Sequence, residues 1–447
     1  MDIYRHTLLP SNSLRLVTFE NDGLRISTYR LDATPQYHAL SYVWGDTPDP
    51  PQHFKICRDE NHTNGANLGI SPSLAEALPY LGRLSIAPVW IDAICIDQSN
   101  EEEKRRVIPQ MKDIYSHARS VQIWLGIHHN NSDMAMTLLR SLATQHKAGQ
   151  SLFNGDSLIQ HAEIMALTSA LDRNLVIDID NRTFESFHLP RLSHPIWLAL
   201  RKLYLRPWFK RVWTFQEAML APEAAAVICG SDIMDWAMFR TIGLKLAHTQ
   251  LLWMHQHTGS TGLSHLDFTD NVEGDRFLTY LILARGNNRY CRLPEDRIYG
   301  FLGLASSRIR QQVPVEYGQE GSDFYQHVYR SVGRLLIQHF PVDDILTAAS
   351  SFLKPANIPS WCPDWNCPSK SQGFWAYGEA GYPMKEYASI TLHPTNEHSI
   401  LVSGTTVDVI DKVVENYQWY WPEGVAGIRG PADLLLQWLD DCFALVR

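Results

Sequence analysis

Apolar and polar side chains alternate loosely from residue 14 to 31, with Leu14, Leu16 and Val17 on one side of Asn21-Asp22-Gly23 and Leu24 and Ile26 on the other. Period-two alternation broken by an Asx-Gly turn predicts two antiparallel strands. Tyr37-His-Ala-Leu-Ser41-Tyr42-Val-Trp44-Gly45-Asp46 is a short apolar run that predicts a buried strand opening into a loop at its carboxyl end. Polar, proline-rich sequence follows to about residue 70 and reads as loop. Ser71-Pro72 then predicts a helix capped by Ser71, with Leu74, Leu78 and Leu81 on one face and Pro79 ending or kinking it early. Val89-Trp-Ile-Asp92-Ala-Ile-Cys95-Ile96 is nearly continuous apolar sequence, as expected of a central parallel strand buried on both faces, and Asp92 interrupts it. After a turn at Asp97–Asn100, the stripe Val107, Ile108, Met111, Ile114, Tyr115, Ala118 predicts a helix that Pro109 kinks or delays. Ser120–Leu125 reads as a third strand. Strand, helix, strand, helix, strand with short connections predicts an α/β fold, a parallel sheet flanked by helices.

Further along, Ala224–Cys229 predicts another strand, and residues 231–340 look largely helical. Ser389–Leu392 and the run from Ile400 predict a small β element, and Pro431 opens a final helix. The expected organisation is an α/β domain over residues 1–230 and a C-terminal helical region over 231–447. In open α/β sheets ligands bind beyond the carboxyl ends of the strands. That rule selects Ser41–Asp46, Asp92–Gln98 and the loop after Leu125 as one crevice.

Composition narrows the function classes. A net charge of −9 with no long Lys/Arg run argues against binding nucleic acid. The seven cysteines are odd in number and scattered, which favours a reducing compartment. The first residues lack the basic start and apolar core of a signal peptide, and no run of about eighteen apolar residues predicts a membrane span. The expectation is a cytoplasmic protein without membrane contact.

Arg211-Val-Trp213-Thr-Phe-Gln216-Glu217 carries the sharpest chemical signal. It predicts a helix with Pro207 in its first turn, and on that helix Glu217 rises one turn above Trp213. A carboxylate held against an indole loses hydration and is suited to chemistry. The alternative is an exposed Glu217 pairing with Lys210 or Arg211 on a solvated face. Asp92 needs either a task or a set of loop amides to satisfy it. Tyr42 and Trp44 are either core or stacking surfaces. The chain has no G-x-G-x-x-G, P-loop, nucleophile elbow or H-E-x-x-H. His248, His255, His257 and His265 form a histidine-rich patch, but 255 and 257 fall on opposite sides of a helix. Cys362 and Cys367 lack a second ligand pair, so no metal site is expected.

Taken together, three blocks resemble the fungal heterokaryon-incompatibility (HET) domain. They are Tyr37-His-Ala-Leu-Ser41-Tyr42-Val-Trp44-Gly45, then Trp90-Ile-Asp92-Ala-Ile-Cys95-Ile-Asp97-Gln98 with Glu103 and Gln110–Ala118, then Arg211–Glu217. Pro109 is a departure within the second block. Pro294-Glu-Asp296-Arg297-Ile-Tyr299-Gly300 and Pro359–Trp365 resemble segments that follow the domain in this family. The resemblance implies a role in non-self recognition and programmed cell death. The family also resembles, distantly, Toll/interleukin-1 receptor domains, some of which hydrolyse NAD. Under that comparison Glu217 takes the place of the catalytic glutamate, and Thr214 stands where a cysteine is usual. It implies NAD or a related nucleotide as substrate, with no bound cofactor, and self-association or a non-self protein as partner. Ser41, Tyr42, Trp44, Gly45, Asp46, Asp92, Lys210, Arg211, Trp213 and Gln216 would then contact the substrate. A carboxylate suits an oxocarbenium-like transition state, aromatic rings suit the base, and basic groups suit the pyrophosphate. A non-catalytic signalling module acting by self-association and a biosynthetic enzyme on the same fold remain open alternatives.

Overall fold

The computed structural model describes residues 3–20, 23–45, 52–58, 66–148, 189–190, 194–248, 289–318, 323–339, 349, 355, 357–366, 389–392 and 400–403. Strands β1 (Ser13–Glu20) and β2 (Gly23–Arg30) pair antiparallel as the Asn-Asp-Gly turn predicts. Next come β3 (His38–Ser41), β4 (Gln52–Arg58), β5 (Ala66–Ile70) and helix α1 (Pro72–Arg83). The Ser71 side chain caps α1 by accepting from Leu74 N, and the helix runs on through Pro79 to Arg83. Then follow β6 (Val89–Trp90), α2 (Asp92–Cys95), α3 (Glu101–Val107), α4 (Met111–Ser116), β7 (Ser120–Trp124) and α5 (Ser132–Lys147). A 3-10 turn at Ile108–Gln110 separates α3 from α4. This is the interruption expected at Pro109, whose missing N–H cannot serve an α-helical ladder. The remaining elements are α6 (Pro195–Tyr204), α7 (Val212–Met219), β8 (Ala226–Cys229), β9 (Asp232–Asp235), α8 (Trp236–His248), α9 (Asp296–Leu302), α10 (Ser307–Gln312) and α11 (Phe324–His339), then an antiparallel pair β10 (Ser389–Leu392) and β11 (Ile400–Ser403).

Nine strands form one sheet in the order β5-β4-β2-β1-β6-β3-β7-β8-β9. The fold is α/β as expected, but the sheet is mixed. Only β6, β3, β7 and β8 make a continuous parallel block, while β1 runs antiparallel to β6, and β8 to β9. The β1–β2 and β8–β9 pairs are antiparallel because a two-residue turn can only reverse the chain. β4 and β5 also pair antiparallel, and β2 pairs parallel with β4.

Three local expectations are corrected. Residues 52–58 and 66–70 are strands rather than loop. The alternation of Phe54 and Ile56 with His53 and Lys55 was the available signal, masked by the prolines before it. Asp92 is not inside a strand: β6 ends at Trp90 and Asp92 opens the short α2. The helix before Glu217 is broken. Pro207–Lys210 is a 3-10 turn, Arg211 is extended at φ −82°, ψ 146°, and α7 begins only at Val212. The cause lies far away in sequence. Tyr290 N donates to Lys210 O (2.6 Å) and Val212 N donates to Tyr290 O (3.0 Å), so the backbone there is taken up by another segment.

Two apolar cores meet on α7. The first surrounds the sheet and reaches from Tyr4 to Leu246, including Trp236, Phe239 and Ile242 of α8. The second gathers Val212 and Phe215 of α7 with Ile298, Phe301, Tyr329, Leu336, Trp361 and Trp365. α7 is therefore buried on nearly all sides, which explains its lack of a polar face. Gly300 allows the approach of α9, since a Cβ there would stand 2.2 Å from Val212 Cγ1. No helix among the described residues is long and apolar enough to cross a membrane.

Candidate functional site

At the carboxyl end of β3, Ser41 points into the protein and is fully buried. Its hydroxyl donates to Glu217 Oε2 (2.5 Å) and accepts from Trp208 Nε1 (2.9 Å). Glu217 is 4% exposed, so the reading of a solvated Glu217 fails. Burial pushes its carboxyl up from 4.5 to about 8, and the nearby Asp92 charge adds to the rise; Ser41, Arg211 and Tyr115 oppose it. An acid so placed is mostly protonated at neutral pH. Tyr115 can give its hydroxyl proton to Leu40 O (3.1 Å) or turn toward Glu217.

Asp92 stands half-buried at the mouth of the same region. Its Oδ2 accepts from Trp44 Nε1 (2.8 Å) and its Oδ1 from Ala93 N (2.7 Å). Burial raises its pKa, against the pull of Arg211 and these hydrogen bonds. The buried Tyr42 hydroxyl comes near this carboxylate without a hydrogen bond of ordinary geometry. Arg211, half-buried, lies within electrostatic reach of both acids, yet among the described residues its guanidinium makes one long hydrogen bond, to Tyr42 O (3.4 Å). Most of its donors are therefore open.

Ser41, Tyr42, Trp44, Asp92, Arg211 and Glu217 thus converge, as the three sequence blocks lead one to expect. Gly45 follows on the exposed rim with φ +91°, a left-handed turn that favours glycine. Trp213 is half-buried and packs against both cores. Asp46, His255, His257, His265 and Cys367 lie outside the described residues. One candidate is directed elsewhere. The Gln216 side chain turns to the second core and accepts from Gly303 N (2.7 Å). The Lys210 backbone carbonyl accepts from Tyr290 N, a bond that does not involve its side chain. The loop after Leu125 is also otherwise engaged: the buried Arg206 gathers the carbonyls of Leu125, Gly126 and Ile127 and the Ser132 hydroxyl. Among the described residues no cluster of His, Cys, Asp and Glu could hold a metal ion.

Glu103, part of the second sequence block, has a structural role that no neighbour along the chain signals. It forms a buried pair with Arg15, with Nη1–Oε1 at 2.6 Å and Nη2–Oε2 at 3.1 Å. Arg15 also donates to Cys95 O (2.8 Å), and Glu103 accepts from Asp97 N (2.8 Å). Together these bonds brace the carboxyl-terminal end of the Asp92–Asp97 turn. Asn100 caps α3, its side chain accepting from Glu103 N (3.1 Å).

The family model for heterokaryon incompatibility protein (HET) matches residues 37–217, a span that begins just before β3 and closes on Glu217. Residues 37–217 are thus similar to the heterokaryon incompatibility domain. The chain is 25% identical over 472 aligned residues to heterokaryon incompatibility protein 6, OR allele, of Neurospora crassa. That similarity covers 90% of this chain, which spans 65% of the relative's length. No solved structure matches the chain. Of the converging side chains, all lie within the matched residues, and so do Arg206 and Glu103.

Proposed function

We propose that this chain acts in non-self recognition leading to cell death, and that its chemistry is cleavage of the nicotinamide–ribose bond of NAD. The observation that carries the reading is Glu217, an acid buried beside Ser41 and Trp208 at the carboxyl end of a parallel strand, with Arg211 nearby making, among the described residues, one long hydrogen bond. The Toll/interleukin-1 receptor likeness supports the choice of NAD. In the reaction the C1′–N bond breaks with its electron pair going to nicotinamide, which leaves neutral. Water supplies oxygen to C1′ and its proton passes to a carboxylate. An ionised Glu217 stabilises the positive charge that develops on the ribose. The cationic nicotinamide ring favours that ionisation, so substrate binding draws the proton off Glu217. Trp44 and Trp213 offer faces to the base, and Arg211 offers donors to the pyrophosphate. Glu217 is enclosed, so its bond to Ser41 opens when substrate enters.

That same enclosure favours a second reading, a signalling module that works by self-association or by binding a non-self protein, with Glu217 a structural acid. Incubating the purified chain with NAD and following free nicotinamide separates the two. Release by wild type and none by a folded Glu217→Gln variant supports catalysis; equal release by both, or none by wild type, defeats it.

A further inference from the structure

A second buried acid borders the Glu217 helix from outside the matched residues 37–217. Asp296 opens α9 and is 8% exposed. Tyr317 donates its hydroxyl to Asp296 Oδ1 (2.9 Å), and the Trp213 indole faces the same carboxyl. This segment is fastened to α7 at several points. Tyr290 takes the backbone on either side of Arg211, Gly303 N donates to Gln216, and Gly300 lets Val212 close against α9. Arg211 therefore starts its helix where Tyr290 holds it, and Trp213 follows with its ring against Asp296.

We propose that Asp296 is a positioning residue of the Glu217 site, holding the Trp213 ring and the adjoining start of α7 in the geometry a ligand meets. The segment around residues 289–317 is then part of the site. The proposal rests on the reading of Trp213 and Arg211 as ligand-facing residues. An amide would serve a purely structural contact, whereas an acid changes its hydrogen-bonding capacity with pH. Above its pKa the carboxylate accepts from both Tyr317 and Trp213; below it, one oxygen carries a proton and becomes a donor. Burial pushes this carboxyl up to about 6, with Glu295 adding to the rise, while Tyr317, Trp213 and Arg211 oppose it. Among the described residues Cys291 and Tyr299 also lie within its field, and burial drives both up to about 12, so they stay neutral near pH 6.

The test uses the full chain labelled with 5-fluorotryptophan, the Trp213 fluorine line being assigned by its loss in Trp213→Phe. In wild type that line shifts with pH about a midpoint near 6. In Asp296→Asn it stays flat from pH 5 to 8, and NAD binding measured in a Glu217→Gln background weakens about fivefold, the difference between a charge-assisted and a neutral hydrogen bond. Tyr317→Phe, which keeps the acid but removes a donor to its charged form, moves the midpoint upward and serves if the Asn variant does not fold. A wild-type line that does not titrate, or one unmoved by both variants, overturns the proposal. If the line behaves as expected but wild type neither binds nor cleaves NAD, the NAD reading falls and the positioning of Trp213 by Asp296 stands.

Discussion

Replacing Glu217 with glutamine is expected to stabilise the folded chain at neutral and alkaline pH. Glu217 ionises at 4.5 when unperturbed and near 8 in the folded protein. Below pH 4.5 both states hold the proton and the group has no effect. Between the two values the unfolded chain gives up its proton while the folded chain keeps it, so stability falls as pH rises, by about 1.4 kcal/mol per unit. The loss reaches about 3 kcal/mol by pH 7 and about 5 kcal/mol above pH 8, as upper limits, since buried groups relax and admit water. Glutamine removes this dependence at little cost in contacts. Its carbonyl can accept from Ser41 and its amide can donate to the Tyr115 oxygen, much as the protonated acid does. Urea denaturation of both proteins from pH 5 to 9 reads the effect directly. The two stabilities should nearly coincide at pH 5 and diverge steadily toward pH 8, with the variant the more stable. Parallel curves across that range would mean that Glu217 ionises as a hydrated carboxylate, and the argument from burial would collapse.

Other outcomes follow from the same geometry. Glu103→Ala leaves the buried Arg15 charge uncompensated and should cost about 3–5 kcal/mol in chemical denaturation; a loss under 1 kcal/mol would place that pair in water. Asp92→Ala strands the Trp44 indole N–H and Ala93 N and should destabilise by about 1–3 kcal/mol, opposite in sign to Glu217→Gln at pH 7, so equal melting temperatures for the two variants would contradict the assignment. If the chain works as an assembly, specific activity should rise with protein concentration; constant turnover by a species that stays monomeric in light scattering would exclude this.

What could be read from sequence were the features governed by neighbours along the chain. The β1–β2 turn, the Ser71 cap and the interruption at Pro109 each depend on a few adjacent residues, and each is where local chemistry puts it. The features missed depend on distant partners. Arg211 reads as helical because the residues around it do, but Tyr290 claims its flanking backbone. Asp92 sits in a strand-like run, yet Ile91 O accepts from Cys95 N (2.7 Å) and turns the chain into α2. The family resemblance assigns Gln216 to the site, and only the second core reveals its bond to Gly303. For the site itself, the three blocks announced the convergence of Ser41, Asp92 and Glu217. They could not show that Ser41 and Glu217 bond directly across 176 residues of sequence, nor that Arg206 and Glu103 hold the surrounding loops.

The charge balance around Arg211 connects the site to the kind of ligand proposed for it. Asp92, Glu217 and Asp296 all feel this guanidinium, and burial pushes all three upward, Glu217 to about 8 and Asp296 to about 6. Glu217 stays largely protonated at pH 7, so part of the negative charge that would neutralise Arg211 is missing, and its open donors favour an anion such as a phosphate. Arrival of a cationic ring has the opposite effect, because it draws the proton from Glu217 and creates the negative charge that it then meets. A dinucleotide with a cationic base and an anionic pyrophosphate satisfies both demands at once. A purely anionic nucleotide satisfies only the first and should leave Glu217 protonated. NAD binding should therefore release a proton near pH 7, whereas its reduced form, which lacks the ring charge, should not. Calorimetry in two buffers of different ionisation enthalpy measures that proton. Equal proton uptake or release for the two forms would disconnect Glu217 from the ring.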